Sequence, residues 1–129
     1  MYVELPNVGW LTAPASIQRR GAPRGPLIRL PVPAYIVETP QQRILIDTGL
    51  HPSAVADATA FYGPSDALDL FAYEQELTLA EQVDLGSVTM VVLTHLHWDH
   101  AGGLPLVPPS VPLVTSRGKT PRRRNGRAD

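Results

Sequence analysis

The sequence predicts an α/β protein, and three observations predict it. Val88 to Leu93 is a continuous apolar run with β-branched residues at Val88, Thr89, Val91 and Val92, the pattern of a sheet strand covered on both faces. Two strand-like stretches, Ala34–Val37 and Arg43–Asp47, flank the polar turn Thr39-Pro40-Gln41-Gln42, which reads as a hairpin. Thr78 stands three residues before Glu81, and that spacing is a capping box opening a helix.

Taken in order, residues 1–26 are rich in Pro and Gly. Val3, Leu5, Val8 and Trp10 suit short strands broken at Pro6 and Gly9, because proline removes a ladder donor. Arg19 to Pro26 reads as a loop. Leu27 to Glu38 is strand-like, interrupted by Pro31 and Pro33, and leads into the hairpin. Thr48-Gly49 breaks the second hairpin strand after Asp47. Pro52 to Ala60 is Ala-rich and predicts a helix that starts at a proline, ended by Phe61 to Ser65. Asp66 to Tyr73 is read as a short helical turn or a lid-like loop. The helix that follows Thr78 turns Leu79, Val83 and Leu77 inward and stops at Leu85-Gly86. After Gly103 a proline-rich loop and one short strand near Val114 are expected. Arg117 to Asp129 has almost no apolar content and reads as a disordered tail.

At 129 residues the chain suits one domain, and 43% apolar residues is globular composition. Net charge is −1, but its distribution is uneven. Residues 1–116 carry five basic and eleven acidic side chains, and residues 117–129 carry six basic and one acidic. The predicted organisation is therefore a domain over 1–116 and a basic tail over 117–129. Cysteine is absent, which excludes disulfides and thiolate metal sites. No basic leader opens the chain, and no apolar run approaches the roughly 20 residues that span a bilayer. A cytoplasmic location is expected. Arg122-Arg123-Arg124 accompanies no recognisable nucleic-acid module, so neither nucleic acid nor membrane is expected as a partner. A homo-oligomer stays open.

The chemistry concentrates in His95-Leu96-His97-Trp98-Asp99-His100. Three of the four histidines fall within six residues, directly after the buried run. In extended backbone residues i and i+2 point the same way, so His95 and His97 can reach one ion. A turn at Trp98 can swing Asp99 and His100 toward a second position. Zinc accepts imidazole and carboxylate alike, iron, cobalt and manganese suit the same donors to differing degrees, and a carboxylate offsets part of the dication's charge. Gly102 and Gly103 lack a Cβ, which lets backbone pass close to the ions.

Thr94-His95-Leu96-His97-Trp98-Asp99-His100-Ala101-Gly102-Gly103 resembles the signature of the metallo-β-lactamase-fold hydrolases. Ile46-Asp47-Thr48-Gly49 resembles the Asp-Thr-Gly turn found upstream in that superfamily. Pro31-Val32-Pro33-Ala34-Tyr35 and the Trp98-to-Gly103 ending are most similar to the N-acyl-homoserine lactonase branch. The resemblance runs from about Leu27 to about Val114. It implies the N-terminal half of an αββα sandwich with metals at one edge. His95 and His97 would bind one zinc ion, and Asp99 and His100 the other, with Asp99 the catalytic carboxylate. Hydroxide held between the ions would open a lactone or another carboxylic ester of a small-molecule substrate. Family members add later ligands, whereas here no histidine follows His100 and the only later acid is Asp129. The resemblance therefore predicts a truncated or frame-shifted member. Two alternatives stay open: a thioester hydrolase of the glyoxalase II kind, and a non-catalytic metal-binding remnant.

Asp47 is read as a supporting residue that accepts a hydrogen bond from a metal-bound imidazole. His51, without ligand-spaced partners, reads as an exposed loop histidine. Trp98 reads as packing that fixes the loop. Phe61, Tyr62, Phe71 and Tyr73 suit a substrate wall and ordinary core equally well.

Overall fold

The computed structural model describes residues 1–18, 21, 23 and 25–116. The predicted tail at 117–129 lies outside these residues, as does much of the Arg19–Pro26 loop. Two sheets share one core. The larger is mixed, with strand order β1 (Tyr2–Glu4), β4 (Tyr35–Glu38), β5 (Arg43–Ile46), β7 (Met90–Leu93) and β8 (Leu113–Thr115). The smaller is antiparallel, with order β3 (Leu27–Pro33), β2 (Asn7–Pro14) and β6 (Ala72–Glu74).

The hairpin forms as the turn residues dictate. β4 and β5 pair antiparallel with Glu38 opposite Arg43 and Tyr35 opposite Ile46. The Thr39 hydroxyl accepts from the Gln42 amide at 3.0 Å and closes the turn. β7 lies inside the larger sheet, parallel to β5 on one side and β8 on the other, but only Val91 and Leu93 are buried while Met90 and Val92 are half-buried, so one face is covered fully and the other in part. It begins at Met90, because Val88 closes a 3₁₀ turn over Leu85–Ser87.

The Leu27–Glu38 segment does not stay in one sheet. Its first part forms β3, and after Ala34 the chain crosses to the other sheet as β4. Gly9 does not break β2: the strand runs through it as a bulge between Asn7 and Trp10, with φ at +149°. The Ala-rich helix is two short ones, α1 (Pro52–Ala56) and α2 (Ala58–Tyr62). Asp57 separates them with extended backbone, and its carboxylate accepts from the Ala60 amide at 2.9 Å. An aspartate that caps the second helix cannot also continue the first. Asp66 to Tyr73 contains the expected helical turn, at Leu68–Leu70, but also the start of strand β6.

The capping box forms as spaced. Thr78 and Glu81 bond reciprocally at the start of α3 (Leu79–Gln82). Leu79 and Val83 are buried, but Leu77 precedes the helix and is 51% exposed, outside the inward face. The core draws Val8 and Leu11 from β2, Val32 from β3, Ile36 and Leu45 from β4 and β5, and Val91 and Leu93 from β7. Among the described residues no helix is long and apolar enough to cross a membrane.

Candidate metal centre

β5 and β7 are parallel neighbours, with Ile46 opposite Val92. Their C-terminal ends therefore leave the sheet side by side, the usual place for a ligand site in layered α/β folds. The Asp47-Thr48-Gly49 turn emerges from β5, and the Thr94–His100 loop with α4 (Trp98–Ala101) emerges from β7.

Backbone bonds stitch the two loops together. The Asp47 amide donates to the Val92 carbonyl at 2.9 Å, the Thr48 amide to the His100 carbonyl at 2.7 Å, and the Gly103 amide to the Gly49 carbonyl at 3.0 Å. The Thr48 hydroxyl adds a bond to His100 O at 3.0 Å. This contact is why glycines follow the histidines. A Cβ on Gly103 would run into the Thr48 carbonyl, and one on Gly102 would meet the Gly49 carbonyl at 2.8 Å. Gly103 thus packs against the Asp-Thr-Gly turn, and Gly102 against both that turn and the Trp98 carbonyl.

Asp47 is 2% exposed and has φ of +58°, the one non-glycine in the left-handed region among the described residues. Its carboxylate is fully engaged. Oδ1 accepts from the Thr94 amide at 2.8 Å. Oδ2 accepts from the Thr94 hydroxyl at 2.8 Å and pairs with His100 Nδ1 at 2.8 Å. Burial pushes the carboxyl up, but the bonds from His100 and from the Thr94 amide and hydroxyl outweigh it and hold it below the ordinary carboxylate value. Asp47 is therefore ionised and acceptor-only at neutral pH.

Facing Asp47, the imidazoles cluster. The His95 ring lies 4.1 Å from His100 and 4.5 Å from His97, centroid to centroid. His97 is exposed, and His95, Asp99 and His100 are half-buried. With Asp47 on its Nδ1, His100 turns Nε2 toward Asp99 Oδ2 at 3.4 Å. That is long for a hydrogen bond. It matches the separation of two donors on a tetrahedral ion with bonds of about 2.0–2.1 Å, which is about 3.3–3.4 Å. The donor chemistry and this spacing fit a divalent metal. Among the described residues, however, no three His, Asp or Glu side chains gather tightly enough to enclose one ion. The donors stand as pairs, short of the three protein ligands a zinc site ordinarily has.

Two residues at this end of the sheet were not marked by sequence spacing. Thr94 bonds both Asp47 and His95 Nδ1, the latter at 3.0 Å. The Tyr62 hydroxyl, at the end of α2, lies 3.0 Å from where a Gly102 Cβ would stand, and burial together with the Asp99 charge raises its pKa. Thr94 opens the resembling signature and Tyr62 was weighed as a wall residue, but only the folded contacts reveal these roles. Of the other residues weighed, His51 caps α1 through Nδ1 and stacks on Phe61 at 4.5 Å. Trp98 packs edge-on against Phe71 at 5.0 Å and Tyr73 at 5.3 Å. Tyr73 is pushed up to about 12, first by burial and then by the charges around it.

A cleft of about 510 Å³ is lined by His97 and Asp99 together with apolar side chains that include Ile17, Leu30, Leu70 and Phe71. A groove of about 560 Å³ between β7, β8 and the proline-rich loop is lined by aliphatic and proline side chains alone. Among the described residues its lining holds no titratable or metal-ligating side chain.

Residues 27–120 match the Metallo-beta-lactamase superfamily, and the chain belongs to that superfamily. Within it, the chain is similar to N-acyl homoserine lactonases. It is 37% identical over 81 residues to N-acyl homoserine lactonase AiiB of Rhizobium rhizogenes, covering 59% of this chain and 29% of that one. It is 35% identical over 85 residues to the N-acyl homoserine lactonase of Bacillus cereus, covering 61% and 34%. Among solved structures, it superposes on an N-acyl homoserine lactone hydrolase with N-hexanoyl-L-homoserine bound at its catalytic metal centre. The TM-score is 0.68 at 25% identity, over 80% of this chain and 44% of the other. A Bacillus thuringiensis AiiA variant with N-decanoyl-L-homoserine at its active site gives 0.66 at 27% identity, again over 80% and 44%. The chain thus spans about a third of the curated relatives' length and under half of the solved structures.

Proposed function

We propose that this chain carries the first metal motif of a zinc-dependent hydrolase that opens N-acyl homoserine lactones, with His95, His97, Asp99 and His100 as ligands to two zinc ions. The observation that carries the substrate class is the cleft. Its lining joins apolar side chains, Ile17, Leu30, Leu70 and Phe71 among them, to the polar His97 and Asp99. Such a shape suits a molecule with a greasy tail and one hydrolysable polar head. The relatives' ligands, N-hexanoyl-L-homoserine, a product, and N-decanoyl-L-homoserine, join such a tail to the ring-opened form of such a head.

A bound divalent metal supplies Lewis-acid polarisation and a water of lowered pKa. The chain's own residues do the rest. Ile17, Leu30, Leu70 and Phe71 receive the acyl tail and exclude water from it. Trp98, wedged against Phe71 and Tyr73, fixes the loop that carries the donors. Asp47 holds the proton on His100 Nδ1, so that Nε2 keeps its lone pair for a metal.

Purified chain supplied with zinc, dialysed and assayed for metal content tests the binding. Parallel turnover of an acyl homoserine lactone and a glutathione thioester tests the substrate. Retained zinc, with lactone turnover abolished in His97→Ala, is the expected result. Thioester turnover alone would replace the substrate class, and loss of all metal on dialysis would leave a non-catalytic remnant.

A further inference from the structure

The structure carries a hydrogen-bond chain that fixes not one imidazole but two, and the second runs through a hydroxyl. We propose that Thr94 is a positioning residue: its side chain transmits the Asp47 carboxylate's demand for a proton to His95, locking that ring with hydrogen on Nδ1 and a free lone pair on Nε2. The importance of this arrangement rests on the metal-centre reading above, but the arrangement itself does not.

The argument is a count of protons. The Asp47 oxygens face an amide N–H at 2.8 Å on Oδ1 and a hydroxyl and a ring nitrogen at 2.8 Å each on Oδ2, the short contacts of a carboxylate that accepts from every neighbour. His100 Nδ1 at 2.8 Å supplies one proton. The Thr94 hydroxyl, 2.8 Å from Oδ2 and 3.1 Å from Oδ1, supplies another. A threonine hydroxyl has a single hydrogen. Once it is committed to Asp47, Thr94 Oγ1 can only accept at its third contact, His95 Nδ1 at 3.0 Å. His95 must therefore carry its proton there. One buried carboxylate then sets both rings, His100 directly and His95 through one oxygen. Both Nε2 atoms are left unprotonated, and a metal ligand needs that state. Among the described residues His97 has no such partner.

The Thr94 amide, bonded to Asp47 Oδ1 at 2.8 Å, belongs to the backbone and survives substitution. Thr94→Val therefore removes only the hydroxyl and keeps a β-branched side chain, and Thr94→Ser restores the hydroxyl without the methyl. Long-range proton–nitrogen correlation spectra of metal-free, histidine-labelled chain at about pH 8, where ordinary imidazoles are neutral, read each ring's tautomer. The expected wild-type pattern is Nδ1–H for both His95 and His100. Thr94→Val should move His95 to a mixture with Nε2–H, leave His100 unchanged, and weaken zinc binding by about 10–100-fold. Thr94→Ser should restore both.

His95 found as Nε2–H in the wild-type chain, which needs no variant to measure, overturns the proposal. So does a His95 that stays Nδ1–H in Thr94→Val. If no form of the chain holds zinc, the metal reading fails, while the tautomers still decide the role of Thr94.

Discussion

Asp47→Asn is the substitution that most sharply separates a structural acid from an ordinary turn residue. The change conserves shape, and asparagine tolerates left-handed backbone at least as well as aspartate, so the φ of +58° adds no strain. What changes is the sign of one atom. The Oδ1 side faces the Thr94 amide at 2.8 Å, and the Oδ2 side faces His100 Nδ1 at 2.8 Å. Whichever way the new amide is turned, its NH₂ meets a donor. One buried group is left unsatisfied, worth about 1–3 kcal/mol, and the remaining bonds lose their charge assistance, worth about another 1 kcal/mol. His100 can escape by moving its proton to Nε2, which relieves the clash and spoils the ring as a ligand. Because that escape recovers part of the first cost, a net loss of about 1–3 kcal/mol is expected. Urea unfolding of metal-free wild type and variant, followed by tryptophan fluorescence, measures it. A loss below about 1 kcal/mol would refute the reasoning, because the carboxylate would then be no more than a solvated turn acid.

Other consequences follow from single contacts. Gly103→Ala drives a Cβ into the Thr48 carbonyl and should cost about 1–3 kcal/mol, seen as a lower urea midpoint with unchanged slope. Thr78→Ala removes the cap of α3 and should cost about 1 kcal/mol in the same assay. The Thr78 amide and hydroxyl hold Glu81 below its ordinary value of 4.5. A group lowered in the folded state stabilises above its unfolded pKa, and that contribution fades as pH falls through the folded one. Acid unfolding of Glu81→Gln should therefore differ from wild type above that window and converge with it below. Extending the acyl chain of a lactone substrate toward the length of the 510 Å³ cleft should lower KM more than it changes kcat, and equal KM for short and long chains would remove the cleft from substrate binding.

Patterns that depend on neighbours in sequence were legible. The hairpin, the capping box and the buried run of β7 each rest on a few adjacent residues, and each formed. Features set by tertiary contact were not. β6 is three residues long, too short for a period of two to stand out, and exists because β2 offers it an edge. The Ala-rich segment had helix propensity throughout, but Asp57 gained more as a cap than as a helical residue. At the candidate metal centre the donors announced themselves by type and density, and Asp47 by the turn it occupies. Thr94 and Tyr62 did not, since their partners lie 47 residues away at Asp47 and 40 away at Gly102. The glycines were visible, but their contact with the Asp-Thr-Gly turn was not, because nothing local says that Thr48 will lie against Gly103.

The alignment of the two loops has to come from somewhere, and the sheet supplies it. Leu45 faces Val91 across the β5–β7 ladder, and these residues are 0% and 1% exposed. Side chains alternate along a strand, so a slip of one residue would turn this pair out of the core. The backbone ladder and the whole core beneath it, with no single pair decisive, thereby fix which residue of β7 ends opposite Ile46, and so bring Asp47 to Thr94 and His100. If that order of cause is right, Leu45→Ala should cost about 2–5 kcal/mol while leaving the His100 tautomer intact in the folded fraction, because the backbone ladder and the remaining core still forbid the slip. A folded Leu45→Ala chain whose His100 had lost its Nδ1 proton would mean the reverse. The core pair itself would then be holding the two loops in register, with too little left in the ladder to keep Asp47 against the imidazole.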